Sequence, residues 1–301
     1  MNSLAPILLF VYNRPAHVER CVASLLQSPL AQESPLIIFS DGAKGEHDRA
    51  QVDTVREYIR KIEGFKSVEI RENTVNRGLA DNIIGGVTEC TERFGRVIVV
   101  EDDLVLSPCF LNFMNRALDL YENVEEVVNI NSHVLEGPQR FPDNFLISFA
   151  DSWGWATWKR GWELFEPDGT LLLDKIKKMR GTKRFDMGYH FVRMLREQIV
   201  GKNNSWAIRW NASIFVNGKL SLNAGKPLAV NGGFGKDATH CNTPDLFGVK
   251  LYTGNLEPKL ISPAEENPEA RNNLRLNYIV RTSYANKLRV RLLEFFYRLV
   301  K

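Results

Sequence analysis

Over the first 130 positions, short unbroken apolar runs alternate with amphipathic stretches. Residues 7–12 (Ile-Leu-Leu-Phe-Val-Tyr) are apolar throughout, which predicts a strand covered on both faces. Pro15 then suits the first turn of a helix running to about residue 27. Residues 36–40 repeat the buried-strand pattern and stop at Asp41-Gly42. Residues 48–62 are polar but keep Val52, Val55 and Ile59 at helical spacing. A short strand follows at 68–71, a loop at 76–78, a helix over 79–94 and a fourth, buried strand starting at Arg96. A helix over 108–122 turns Phe110, Phe113, Met114 and Leu118 inward and leads to a strand at 127–130. Strands and helices alternating at this spacing predict an α/β fold on a parallel, doubly wound sheet. No G-x-G-x-x-G follows the first strand, which argues against a dinucleotide-binding version. The periodicity weakens past Gly137, where tryptophans cluster at 153–158 and 206–210 and a glycine-rich stretch precedes His240.

The strongest chemical signal closes the fourth strand. Arg-Val-Ile-Val-Val runs straight into Glu101, Asp102 and Asp103. Ligands of open α/β sheets bind in the crevice beyond the strands' carboxyl ends. Three adjacent anions there repel one another unless a cation sits among them, so the pattern is either a divalent-metal site or a charged loop. The remaining composition narrows the setting. The 301 residues suit one large or two fused small domains, and the net charge of +3 is too mild to argue for nucleic acid. Cys21, Cys90, Cys109 and Cys241 lie far apart with no CxxC pair, as in a cytosolic protein with reduced thiols. The first strand follows almost at once on Met1, with no signal-peptide pattern, and no apolar run reaches the ~18–20 residues of a membrane span. A cytoplasmic location is the expectation.

These residues together resemble a GT-A glycosyltransferase. The nearest likeness is the family of N-acetylglucosaminyltransferases that initiate complex N-glycan branching, in a bacterial-looking form. Phe10-Val11-Tyr12-Asn13-Arg14 resembles that family's first strand end, Ser40-Asp41-Gly42 its second, and Glu101-Asp102-Asp103 its acidic fourth. Trp153-Gly154-Trp155 resembles a later tryptophan segment, and Asn76-Arg77-Gly78-Leu79-Ala80 is similar to family 2 glycosyltransferases. The resemblance covers roughly residues 5–165, with a weaker patch at 205–241. It implies a mixed sheet flanked by helices and transfer from a nucleotide-sugar, a UDP-sugar above all, to a glycan or lipid-linked acceptor. It also implies an inverting displacement in bacterial surface polysaccharide synthesis.

On that likeness, Asp103 and His240 hold Mn²⁺ or Mg²⁺, Asp102 faces the ribose or donor sugar, and Glu101 touches the sugar or orders the site. Asp41 accepts from the uracil N–H or serves as a turn residue. Arg14 lies near the base or pyrophosphate, with Tyr12, Asn13, Asn76 and Arg77 around the donor. Trp153, Trp155 and Trp206 suit a sugar platform, since pyranose faces stack on aromatic rings, or form core. The family's general base falls at Ala207 or Ile208 here, where no carboxylate stands, so Asp151 is the remaining choice. A sugar-1-phosphate nucleotidyltransferase and a non-catalytic nucleotide- or glycan-binding protein are the alternatives. Residues 1–255 are read as the catalytic domain, 1–135 for the nucleotide-sugar and 136–255 for the acceptor. Residues 256–301 form a polar linker and a basic amphipathic helix. From Asn277 to Lys301 that helix suits packing on the domain or a peripheral place on the inner face of the cytoplasmic membrane.

Overall fold

The computed structural model describes residues 3–232 and 249–283. The first half runs β1 (Ile7–Val11), α1 (Pro15–Leu26), β2 (Pro35–Ser40), α2 (Glu46–Ile59), β3 (Ser67–Glu72), α3 (Leu79–Phe94), β4 (Arg96–Glu101), β5 (Leu104–Leu106), α4 (Phe110–Leu120) and β6 (Val127–Asn131). The second half runs β7 (Asn144–Ile147), β8 (Trp155–Trp158), α5 (Lys159–Trp162), α6 (Gly169–Lys178), α7 (Thr182–Asp186), α8 (Phe191–Ile199), α9 (Trp206–Val216), β9 (Leu220–Ala224), β10 (Ala229–Asn231) and α10 (Pro268–Thr282).

Eight strands form one sheet in the order β3-β2-β1-β4-β8-β6-β9-β7. The first four are parallel, with Ile7 level with Leu36 on one side and Ile98 on the other. β8 then runs antiparallel to both β4 and β6, β9 parallel to β6, and β7 antiparallel to β9. The sheet is therefore mixed, and only its first half is the parallel wound sheet that the alternating pattern predicts. β5 and β10 pair separately as a small antiparallel ribbon beyond the end of β4.

β1 shows why an unbroken apolar run was needed. Ile7, Leu9 and Val11 join α1 and α4 in one core, while Leu8 and Phe10 join α3 in another, so the strand is covered on both faces. Arg96 opens β4 with its guanidinium tied to Asp119 at 2.6 Å and to the Ser3 carbonyl at 2.8 Å. A third core lies under α6, α8, α9 and α10, around Phe145 and Ile147. Residues 256–267 are laid along the body. Tyr121 donates to the Lys259 carbonyl and accepts from the Ile261 N–H, and the Asn267 N–H donates to Leu146. α10 begins inside the stretch whose composition is polar and Asn-rich, because Asn267 caps the Ala270 N–H and Pro268 takes the first helical position. Tyr278, in the stretch read as either packing on the domain or lying on a membrane, is buried against Phe149, Phe191 and Tyr189, in keeping with packing. No helix among the described residues is long and apolar enough to cross a membrane.

Candidate functional site

β1 lies between β2 and β4, the two strands to which the chain winds on opposite sides, so a crevice opens at their carboxyl ends. The acidic triplet and Arg14 meet there. Arg14 Nη1 lies 3.9 Å from Asp102 Oδ1 and 3.6 Å from Asp103 Oδ2. Asp103 Oδ2 also accepts from Asn231 Nδ2 at 3.0 Å, and its carbonyl accepts the Gly232 N–H at 2.7 Å, so the β5–β10 ribbon backs the carboxylate. Burial pushes the Glu101 carboxyl well up, and Asp103 and Asp102 add to it. Burial and then Asp103 raise Asp102 to about 7, against the opposing pull of Arg14 and the Tyr12 N–H. The crevice thus gathers more negative charge than one guanidinium neutralises. Among the described residues no three His, Cys, Asp or Glu side chains are grouped as a complete metal site. Hard carboxylate oxygens with excess charge still fit Mn²⁺ or Mg²⁺, provided a ligand brings further oxygens. His240, the expected second ligand, lies outside the described residues.

The other residues around this crevice are organised by two carboxylates. Asp48, on α2, accepts from the Tyr12 hydroxyl at 2.6 Å and from Asn13 Nδ2 at 3.2 Å. The Tyr12 hydrogen bond is the main cause of its lowered pKa. Tyr12 in turn is pushed up to about 12, by burial first and the Asp48 bond second. Sequence reading missed Asp48, which sits on a polar helix 36 positions from Tyr12.

Asp41 corrects an expectation. Its Oδ1 accepts the Gly42 N–H (3.0 Å), the Arg77 N–H (2.9 Å) and Asn73 Nδ2 (3.2 Å). Its Oδ2 accepts Asn76 Nδ2 and the Gly78 N–H, each at 2.9 Å. A carboxylate offers about four lone-pair sites, so none is left for a uracil N–H. Asp41 is the hub of the 73–78 loop. Gly42 is required beside it, because a Cβ there would lie 2.4 Å from the Val75 carbonyl carbon. Asn76 spends its amide on Asp41 and the Gly42 carbonyl, whereas the Arg77 side chain is exposed at the loop tip.

The tryptophans separate into two roles. Trp155 and Trp206 are buried and stacked 5.2 Å apart, with Trp162 and Trp210 against them. They are core under the sheet, closed to any sugar. Trp153 is half-buried, packs at a tilt against His133 with ring centres 4.5 Å apart and lines a cavity of about 490 Å³. The cavity is lined by Phe149, Asp151, Tyr189, Asn211, Tyr278 and Arg281 among others. Asp151 Oδ1 accepts the Trp153 N–H at 3.0 Å, and its own N–H donates to Asn131 Oδ1 at 3.0 Å. Asn131 also donates to the Phe149 carbonyl and to Asn223, while Asn129 bonds Asn131, Ser221 and Trp210. This buried amide ladder on β6 and β9 fixes the cavity floor, and sequence reading missed it too.

The cavity and the crevice adjoin. β8 pairs with β4 as far as Val99 and Trp155, two residues short of Glu101 on one strand and of Trp153 on the other. The His133 imidazole donates to the Ala229 carbonyl, two residues or about 7 Å along β10 from the residue that bonds Asp103.

The GNT-I family model matches residues 1–170, more than half of the chain, including Arg14 and the Glu101–Asp103 triplet but not the β10 residues behind them. The chain belongs to the GNT-I family. A similar curated protein is the alpha-1,3-mannosyl-glycoprotein 2-beta-N-acetylglucosaminyltransferase of Arabidopsis thaliana, 23% identical over 175 residues. That match takes in 54% of this chain and 39% of the relative, so the chain spans about two fifths of the relative's length. Among solved structures, the mannosyltransferase PcManGT from Pyrobaculum calidifontis, in complex with GDP-Man and Mn²⁺, overlaps 72% of this chain and 70% of its own. The TM-score there is 0.41 at 10% identity. S. aureus TarS overlaps 48% of this chain and 25% of its own, with a TM-score of 0.34 and 12% identity. Likeness at that level says nothing of donor, acceptor or metal.

Proposed function

We propose that this GNT-I family member is a metal-dependent glycosyltransferase. It transfers a sugar from a nucleotide-sugar, a UDP-sugar in this reading, to a glycan or lipid-linked acceptor in bacterial surface polysaccharide synthesis. The supporting observation is the pairing of Arg14 with Asp102 and Asp103, next to Glu101, at the switch point of the sheet, with an aromatic cavity nearby. Asp103, with His240, is the proposed holder of Mn²⁺ or Mg²⁺. When bound, that ion supplies charge neutralisation for the leaving diphosphate. Arg14 presents a planar fork suited to the pyrophosphate. Asp102 faces the ribose or donor sugar, and Tyr12 and Asn13, pinned by Asp48, shape the donor pocket with Arg77. Asp151 lines the cavity with one carboxylate oxygen that accepts no hydrogen bond among the described residues. It takes the proton of the attacking acceptor hydroxyl, in a direct displacement that inverts the sugar carbon.

The test is UDP release from UDP-sugars with Mn²⁺ and with EDTA. Asp103→Ala is expected to abolish turnover and the Mn²⁺-dependent thermal stabilisation by UDP. Full turnover in EDTA, or that stabilisation surviving in Asp103→Ala, overturns the metal reading. Asp151→Asn keeps an oxygen for the Trp153 N–H and should lower kcat by ~10²–10⁴-fold with UDP binding intact. Unchanged turnover there removes the base. The basic stretch beyond residue 283 lies outside the described residues, and its proposed place is an anionic membrane surface. If a chain ending at Ser283 pellets with anionic liposomes as well as the full chain does, that role is gone.

A further inference from the structure

The cavity walls come from two parts of the chain. His133, Leu135 and the 149–153 stretch lie within the family-matched residues, and the remaining walls come from beyond residue 170, on α8, α9, α10 and Tyr189. Nothing in the family match fixes what this part recognises, so the chemistry of the walls has to decide.

One wall group is left unsatisfied. Asn211 is 3% exposed, and its Oδ1 accepts the Ala150 N–H at 3.0 Å. Its Nδ2 has no hydrogen-bond partner among the described residues. Buried amide donors are almost always paired, because an unmade bond leaves the desolvation penalty of the group uncompensated. Asn211 lines the cavity, so a ligand there can supply the missing acceptor oxygen. The surroundings restrict that ligand. Phe149, Phe191, Met194 and Ile208 make an apolar wall, which favours a methyl over a hydroxyl. Trp153, Tyr189 and Tyr278 offer ring faces to the C–H face of a pyranose. Among the described lining residues Asp151 is the only carboxylate and Arg281 the only guanidinium, so these residues bring no surplus cation for an acidic sugar. A volume of about 490 Å³ lies within the ordinary range of small-ligand sites, ~300–1,000 Å³.

We propose that this cavity is the acceptor subsite and that it selects a neutral pyranose bearing an acetamido group. Asn211 Nδ2 donates to the acetamido carbonyl, the methyl lodges among Phe149, Phe191 and Met194, and the ring stacks on Trp153 or Tyr189. This rests on the glycosyltransferase reading. It adds Asn211 as a specificity-determining residue that takes no part in the displacement.

Saturation-transfer NMR on the full chain tests it, with methyl N-acetyl-β-glucosaminide and methyl β-glucoside as probes and UDP with Mn²⁺ as a separate donor probe. The acetamido glycoside should bind about tenfold tighter than the glucoside, as one added hydrogen bond and a buried methyl imply, with the strongest saturation on its acetyl methyl. Asn211→Asp keeps an acceptor for the Ala150 N–H but replaces the donor with a second acceptor, and should erase the preference. Tyr189→Ala, at an exposed wall position, should weaken both sugars and keep their ratio. Equal binding of the two glycosides by the unaltered chain overturns the acetamido assignment, and so does an unchanged preference in a folded Asn211→Asp. If neither glycoside is saturated while UDP is, the cavity is not the acceptor subsite and the donor reading stands. If UDP is not bound either, the glycosyltransferase reading fails with it.

Discussion

Replacing Asp41 by alanine distinguishes a loop hub from a base-binding carboxylate. Asp41 is 5% exposed and receives five donors: the N–H groups of Gly42, Arg77 and Gly78, and the amides of Asn73 and Asn76. In Asp41→Ala the two side-chain amides can turn toward water, but the three backbone N–H groups stay fixed by the loop. A donor left without its partner costs about 1–3 kcal/mol, and water entering this half-exposed loop holds each near the lower end. Three such groups plus the loosened loop come to about 3–5 kcal/mol. For a domain of this size each kcal/mol moves Tm by ~2–4 °C, so a fall of about 6–20 °C is expected. Asp41→Asn keeps one oxygen and should fall roughly half as far. The assay is thermal unfolding by circular dichroism without nucleotide. A residue whose task was to accept from the uracil N–H would leave that Tm untouched and lose only the shift that UDP adds. An Asp41→Ala protein within about 1 °C of the parent refutes the hub.

Two further outcomes follow from the same geometry. Trp155→Ala empties a fully buried site between Trp206, Trp162 and Trp210 and should cost ~3–5 kcal/mol in urea unfolding, whereas Trp153→Ala should cost far less and weaken glycoside binding instead; similar losses for the two would contradict the assignment of roles. Tyr12 has its pKa raised from 10.0 to about 12, so the folded state holds the phenol proton more tightly than the unfolded chain. Its contribution is complete below pH 10 and is lost as pH rises toward 12, and Tyr12→Phe should therefore show a shallower fall of Tm over that window, parallel falls being the refuting result.

β1, β2 and β4 were legible because their interiors are apolar and buried on both faces, whereas the edge strand β3 is half-exposed and carries Glu69 and Arg71. Leu8 and Phe10 face α3 while Ile7, Leu9 and Val11 face α1 and α4, and the sequence shows simply an apolar run. The acidic strand end was legible for the complementary reason, that charge placed against such a run needs an explanation. β9 was hidden by inward polar residues. In Leu220–Ala224 the Ser221 and Asn223 side chains are buried and hydrogen-bonded to Asn129 and Asn131, so alternation points the wrong way. β8 is four residues with a buried Thr157 bonded to the Val128 carbonyl, too short for any period to register. The role of Asp41 was half legible. Its type and place suited both a turn and a base contact, and only the loop folded back from Asn73 to Gly78 decides between them.

The strand order sets a schedule for building the molecule. β6 pairs only with β8 and β9, and β7 only with β9, so both are made before any partner exists. A chain emerging from the ribosome can close β1–β4 from local neighbours. β8 and the loop carrying Asp151 reach β6 early, but Ser221 and Asn223 close on Asn129 and Asn131 only 92 positions after those amides. Such long-range closure is slow, and meanwhile β6 and β7 offer bare edges to other chains. Nascent chains stalled or cleaved before residue 224 should therefore aggregate through this half of the sheet, which makes the β6–β9–β7 half the last part of the molecule to mature.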